Sequence, residues 1–82
     1  MKDELNTDLV KEGFAKTLIR LRKKAGLSQE ELANRSRLER AFVSRLERAL
    51  AQPSLHTLLK IAKGLELNPN ELLQEFLQDY NA

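Results

Sequence analysis

The chain has 82 residues, no Cys and a single His, His56, and carries a net charge of +2. At this length one small domain is the ceiling, and a core of that size is marginal without a staple or a partner subunit. With no thiolates there is no disulfide framework or thiolate metal site, and one imidazole leaves no cluster for catalysis or metal binding, so neither cofactor nor metal is expected.

The first helix is expected to start between Thr7 and Glu12, capped by Thr7 or Asp8, and to stop at Gly26. Val10, Phe14, Leu18, Leu21 and Ala25 form one apolar stripe at helical period, and Gly13 inside it costs about 1 kcal/mol relative to Ala. Ser28-Gln29-Glu30-Glu31 reads as a capping box, with Leu27 and Leu32 as its hydrophobic staple, so a second helix starts at Ser28.

Propensity alone would carry that helix on to Ala51, but the pattern does not. A continuous helix would put Arg35, Ser36 and Glu39 on the apolar face between Leu32 and Val43. A break near Ser36–Leu38 turns Leu38 inward and resets the phase for Phe42, Val43, Leu46 and Leu50. Pro53 ends the third segment and Ser54 caps a fourth helix, whose apolar face is Leu55, Leu58, Leu59, Ile61, Ala62 and Leu65. Asn68-Pro69-Asn70-Glu71 starts a fifth, with Leu67 and Leu72 as staple. Leu72 and Leu73 can close the domain, leaving Phe76, Leu77 and Tyr80 in excess as a dimer interface.

Charge is uneven along these elements. Residues 11–48 are strongly basic and both flanks are acidic, which points to a polyanion partner for one face. The N-terminal MKDELNTDLV lacks the apolar run of a signal peptide, and KDEL at 2–5 is an address only at a C-terminus. No run approaches a membrane span, and with no Cys a reducing compartment, most simply the cytoplasm, is expected.

Five short helices, the second and third joined by a tight turn and the third rich in Arg, describe an all-α helix-turn-helix module. From about Phe14 to Leu73 the chain resembles the phage-repressor/Cro-type, XRE-like helix-turn-helix family. The likeness is carried by Phe14, Leu18, Leu21 and Arg22, by GLSQEELA at 26–33 and VSRLER at 43–48, and by QPSLHTLLKIAKGLEL at 52–67 with NELL at 70–73. LERAFVSRLER is similar to restriction–modification controller proteins and other small stand-alone regulators. Three positions depart from the family pattern: Arg37 stands where a turn Gly is frequent, Glu39 where Ser or Thr caps the third helix, and Ala49 where Gly follows it.

The resemblance implies one domain over 1–82, with a core at about 14–73 and residues 74–82 as a C-terminal extension. It makes about 39–48 the recognition helix in the major groove, with Arg40, Ala41, Ser44 and Arg45 toward the bases. Ser28, Gln29, Arg48, Gln52 and Ser54 would meet phosphates, assisted by the amide ends of the second and fourth helices. Lys23, Lys24, Arg35 and Arg37 would add a diffuse field, while His56 is expected to be merely exposed. Arg22 and Glu47 would form a structural ion pair.

The expected function is a homodimeric, sequence-specific transcriptional regulator of double-stranded DNA on a near-palindromic operator. No enzymatic activity, membrane contact or small-molecule ligand is expected. The competing reading is a protein-interaction module of the same fold, such as an antitoxin or a coactivator-like adaptor.

Overall fold

A computed structural model describes residues 6–81, so the expectations at residues 1–5 and Ala82 lie outside it. The described residues form five α-helices and no strand: α1 Thr7–Lys24, α2 Gln29–Ser36, α3 Arg40–Glu47, α4 Leu55–Gly64 and α5 Pro69–Asn81. Their starts follow from local chemistry. Asn6, rather than Thr7 or Asp8, caps α1, its side chain accepting from the Asp8 and Leu9 amides at 2.8 and 3.3 Å. The Ser28–Glu31 capping box closes in both directions, at 3.0 and 2.8 Å. Asn68 and Glu71 close another at 2.9 and 3.0 Å, and Ser54 accepts from the Thr57 amide.

The helix ends share one device. Gly26, Arg37, Ala49 and Glu66 all have positive φ, at 74°, 55°, 60° and 61°. The next residue is Leu each time, and its amide donates five residues back: Leu27 to Arg22, Leu38 to Ala33, Leu50 to Arg45 and Leu67 to Ala62. This is the Schellman arrangement, which recovers orphan carbonyls and turns an apolar residue back toward the helix. Only Gly26 adopts this backbone without a side-chain penalty; a residue with a Cβ gives up about 1 kcal/mol there. The break expected near Ser36–Leu38 is therefore a left-handed turn at Arg37. Leu50, expected on the buried face with Val43 and Leu46, is instead 52% exposed, because α3 ends at Glu47 and Ala49 redirects the chain.

The core is one cluster built by all five helices. Phe14, Leu18 and Leu21 of α1, Leu27, Leu32 and Ala33, Val43 and Leu46 of α3, Ile61 and Ala62, Leu65, and Leu72 are all buried in it. Each fully buried Leu, Ile, Val or Phe side chain among them contributes about 1.5–3 kcal/mol. The α4 face is narrower than expected, since Leu55 and Leu59 point to solvent.

Helix α5 also differs from the expectation. Leu73 does not close the domain; it and Leu77 are about equally exposed, one helical turn apart. Phe76 and Tyr80 are not in excess but lie half-buried on α1. Phe76 sits 6.1 Å from the Phe14 ring and 5.5 Å from that of Tyr80. Gly13 explains this closeness: a Cβ there would stand 3.2 Å from the Tyr80 Cα, so the missing side chain lets α5 lie on α1. A polar strap runs alongside. The Thr17 hydroxyl donates to Asp79 at 2.7 Å, and Arg20 bridges Asp79 and Glu75, both at 2.8 Å.

Candidate nucleic-acid interface

Helix α3 has two unlike sides. Val43, Leu46 and Glu47 are buried, with Phe42 half-buried beside them, whereas Arg40, Ala41, Arg45 and Arg48 are exposed and Ser44 is intermediate. Glu39 precedes the helix in extended conformation, exposed and without a side-chain capping bond. The exposed side of α3 is therefore a row of cations with one carboxylate at its N-terminal tip.

A charged junction fixes the orientation of this helix. Arg22 grips Glu47 with two donors, Nε to Oε2 at 2.6 Å and Nη2 to Oε1 at 3.0 Å. Its third nitrogen donates to the Leu27 carbonyl at 2.8 Å, and Gln29 Nε2 donates to Glu47 Oε1 at 2.9 Å. One carboxylate thus joins α1, the first residue of α2 and the last residue of α3. The Arg22 and Glu47 side chains are only 13% and 5% exposed, so their charges are protected from solvent screening. The hydrogen bonds that Arg22 donates to Glu47 raise the proton affinity of its guanidinium, outweighing the burial that opposes its charge.

The expected contact residues fall on adjoining features. Arg40 has no hydrogen bond or ion pair to any described residue, leaving all its donors available. Arg45 reaches only the Leu50 carbonyl, at 3.5 Å, while Arg48 Nε donates to the Ser44 hydroxyl at 3.3 Å. Ser28 and Gln29 lie at the N-terminal end of α2, and Gln52 and Ser54 just before α4, where unpaired amides face outward.

Three of these side chains are already engaged. The Ser28 and Ser54 hydroxyls cap their helices, and the Gln29 amide is turned inward to Glu47. That third engagement had no signal in the sequence, because Gln29 and Glu47 are eighteen positions apart. His56 is exposed, as are Lys23, Lys24, Arg35 and Arg37. Arg35 lies 3.8 Å from Glu66, and the Arg37 carbonyl meets Lys60 Nζ at 3.5 Å.

The chain is similar in sequence and fold to known proteins. The helix-turn-helix family HTH_3 matches residues 18–72. An HTH-type transcriptional regulator of Sinorhizobium fredii (strain NBRC 101917 / NGR234), y4dJ, is 39% identical over 54 residues, covering 66% of this chain and 70% of its own. Control protein C.BamHI of Bacillus amyloliquefaciens is 42% identical over 50 residues, which are 61% of this chain and 62% of that protein. The restriction-modification controller protein C.AhdI from Aeromonas hydrophila superposes with a TM-score of 0.70 at 46% identity, covering 79% of this chain and 96% of the other.

Proposed function

The chain belongs to the HTH_3 helix-turn-helix family of DNA-binding transcriptional regulators, and from that premise we propose that it binds a near-palindromic operator as a homodimer, reading sequence with α3. One observation carries the reading: α3 buries Val43, Leu46 and Glu47 while leaving Arg40, Ala41 and Arg45 uncovered. In this role Arg40 and Arg45 each donate a bidentate pair to guanine N7 and O6, worth about 1–3 kcal/mol of discrimination. Ala41 meets a thymine methyl, and Ser44, oriented by Arg48, reaches a neighbouring base edge. The amide ends of α2 and α4, with Ser28, Gln29, Arg48, Gln52 and Ser54, take phosphates on either side.

Residues 1–82 act as one domain in this reading. No helix among the described residues is long and apolar enough to cross a membrane, in keeping with the cytoplasmic, nucleoid-associated setting proposed here. The second subunit docks on Leu77 together with Leu73, and on Leu55 and Leu59 of α4, all exposed in the single chain. Phe76 and Tyr80 support that surface from behind through their packing on α1. A two-fold dimer then sets two recognition helices about 34 Å apart, one turn of DNA.

Selection of bound sequences from random duplex DNA tests this reading. A two-fold symmetric motif with half-sites one turn apart is expected, with affinity falling steeply as salt rises because several phosphates release counterions. Equal affinity for scrambled DNA would overturn sequence-specific recognition, and a motif without symmetry would overturn the dimer.

A further inference from the structure

We infer that Glu39 is a specificity-determining residue, accepting a hydrogen bond from the exocyclic amine of a cytosine at the N-terminal tip of α3. The inference rests on the DNA-binding reading above and names a contact within it. Its basis is a difference among helix starts. Asn6, Ser28, Ser54 and Asn68 each cap their helix through a side-chain oxygen. Glu39 holds the same place on α3, and only its main chain takes part: its carbonyl accepts from the Phe42 and Val43 amides at 3.0 and 3.2 Å. The carboxylate has no hydrogen bond or ion pair to any described residue and is exposed. Ser, Thr, Asp or Asn would hold this helix better, so the one uncapped start is on the helix proposed to read DNA.

Charge sharpens the point. Arg40, Arg45 and Arg48 suit a polyanion, whereas a carboxylate at the tip of the same helix repels phosphate. It is compatible with tight binding where a donor meets it. The major groove offers two donor groups, cytosine N4 and adenine N6. Adenine sets its N7 acceptor beside the amine, against the second carboxylate oxygen; cytosine does not. Arg40, the next residue, suits guanine, so the tip of α3 would demand neighbouring G·C pairs in a fixed orientation.

The test is random-DNA selection with the wild type, Glu39→Gln and Glu39→Ser, together with thermal melting of each. The wild-type motif is expected to hold a constant cytosine in each half-site. Glu39→Gln should shift that position toward adenine, whose N6 and N7 a carboxamide matches, with cytosine preference falling about tenfold. Glu39→Ser should lose the preference while Tm rises by about 4–8 °C from the restored cap, separating readout from folding. An identical motif in all three proteins overturns the inference and leaves the parent reading standing. So does a uniform gain of affinity for every sequence in Glu39→Gln, the mark of simple phosphate repulsion. A wild type that enriches no motif at all overturns sequence-specific recognition, and this inference with it.

Discussion

Residues 37–40 and 45–48 are both Arg-Leu-Glu-Arg, yet the first copy spans the left-handed turn, the extended cap and the first residue of α3, and the second its last turn and C-terminal cap. Arg37 adopts φ 55°, whereas Arg45 is helical. Leu38 is half-buried at the turn; Leu46 is fully buried. Glu39 is exposed and has no side-chain partner among the described residues, while Glu47 accepts from Arg22 and Gln29 in the interior. Arg40 and Arg48 are both exposed, but among the described residues only Arg48 has a side-chain partner, Ser44. The lesson is that a side chain's role follows from its place relative to the helix end and the core, not from its neighbours in the chain.

The largest test of this contrast compares the two glutamates. Glu47→Ala strands the shielded Arg22 guanidinium and should cost about 3 kcal/mol, read by urea denaturation. Glu39→Ala removes no contact and should stay within about 0.5 kcal/mol. Equal losses would erase the distinction. The arginines should separate in the opposite assay: Arg45→Ala is expected to weaken binding to the selected operator by about 10–100-fold with Tm unchanged. Arg37→Ala, removing only part of a diffuse field, should change affinity far less; a titration at fixed salt decides.

Smaller effects come from the backbone. Arg37→Gly should stabilise by about 1 kcal/mol, since glycine adopts φ 55° freely, and Arg45→Gly in the helix should destabilise by a similar amount. Same-sign shifts in Tm would show that the two copies are not conformationally distinct.

The smallest effect is a control away from both copies. Burial pushes the Asp79 carboxyl up, but hydrogen bonds from Arg20 and Thr17 outweigh it and hold the group below its ordinary 3.8. Its contribution is therefore present above the ordinary value and lost as pH falls through the folded one. Asp79→Asn should cost under about 1 kcal/mol at neutral pH, and its gap from the wild type should close on acidification. A gap that widens in acid would contradict the strap between α1 and α5.

What the sequence determined by itself is mostly local. The Ser28 and Asn68 boxes and the Ser54 cap act over three residues, so their letters sit together, and the stripe through Phe14, Leu18 and Leu21 follows from helical period alone. The structure departs from the sequence pattern at helix ends and at helix crossings. Asn6 outcompeted Thr7 and Asp8 locally, but Leu50 and Leu73 turned outward and Phe76 and Tyr80 inward because of how helices stop and cross.

Arg37, Ala49 and Glu66 accept a left-handed backbone that composition does not announce, and a Leu follows each of them. Of the four left-handed helix ends, Gly26 alone was legible by residue type; the Leu that follows each of them takes its meaning from the structure. The family resemblance implied the Arg22–Glu47 pair, but only the tertiary structure decided its burial and its third partner, Gln29. Three donors from α1 and α2 converge on Glu47, and among the described residues none reaches the Glu39 carboxylate. The physical reason is that capping depends on neighbours three residues apart, whereas burying a charge requires partners that only the packed helices bring together.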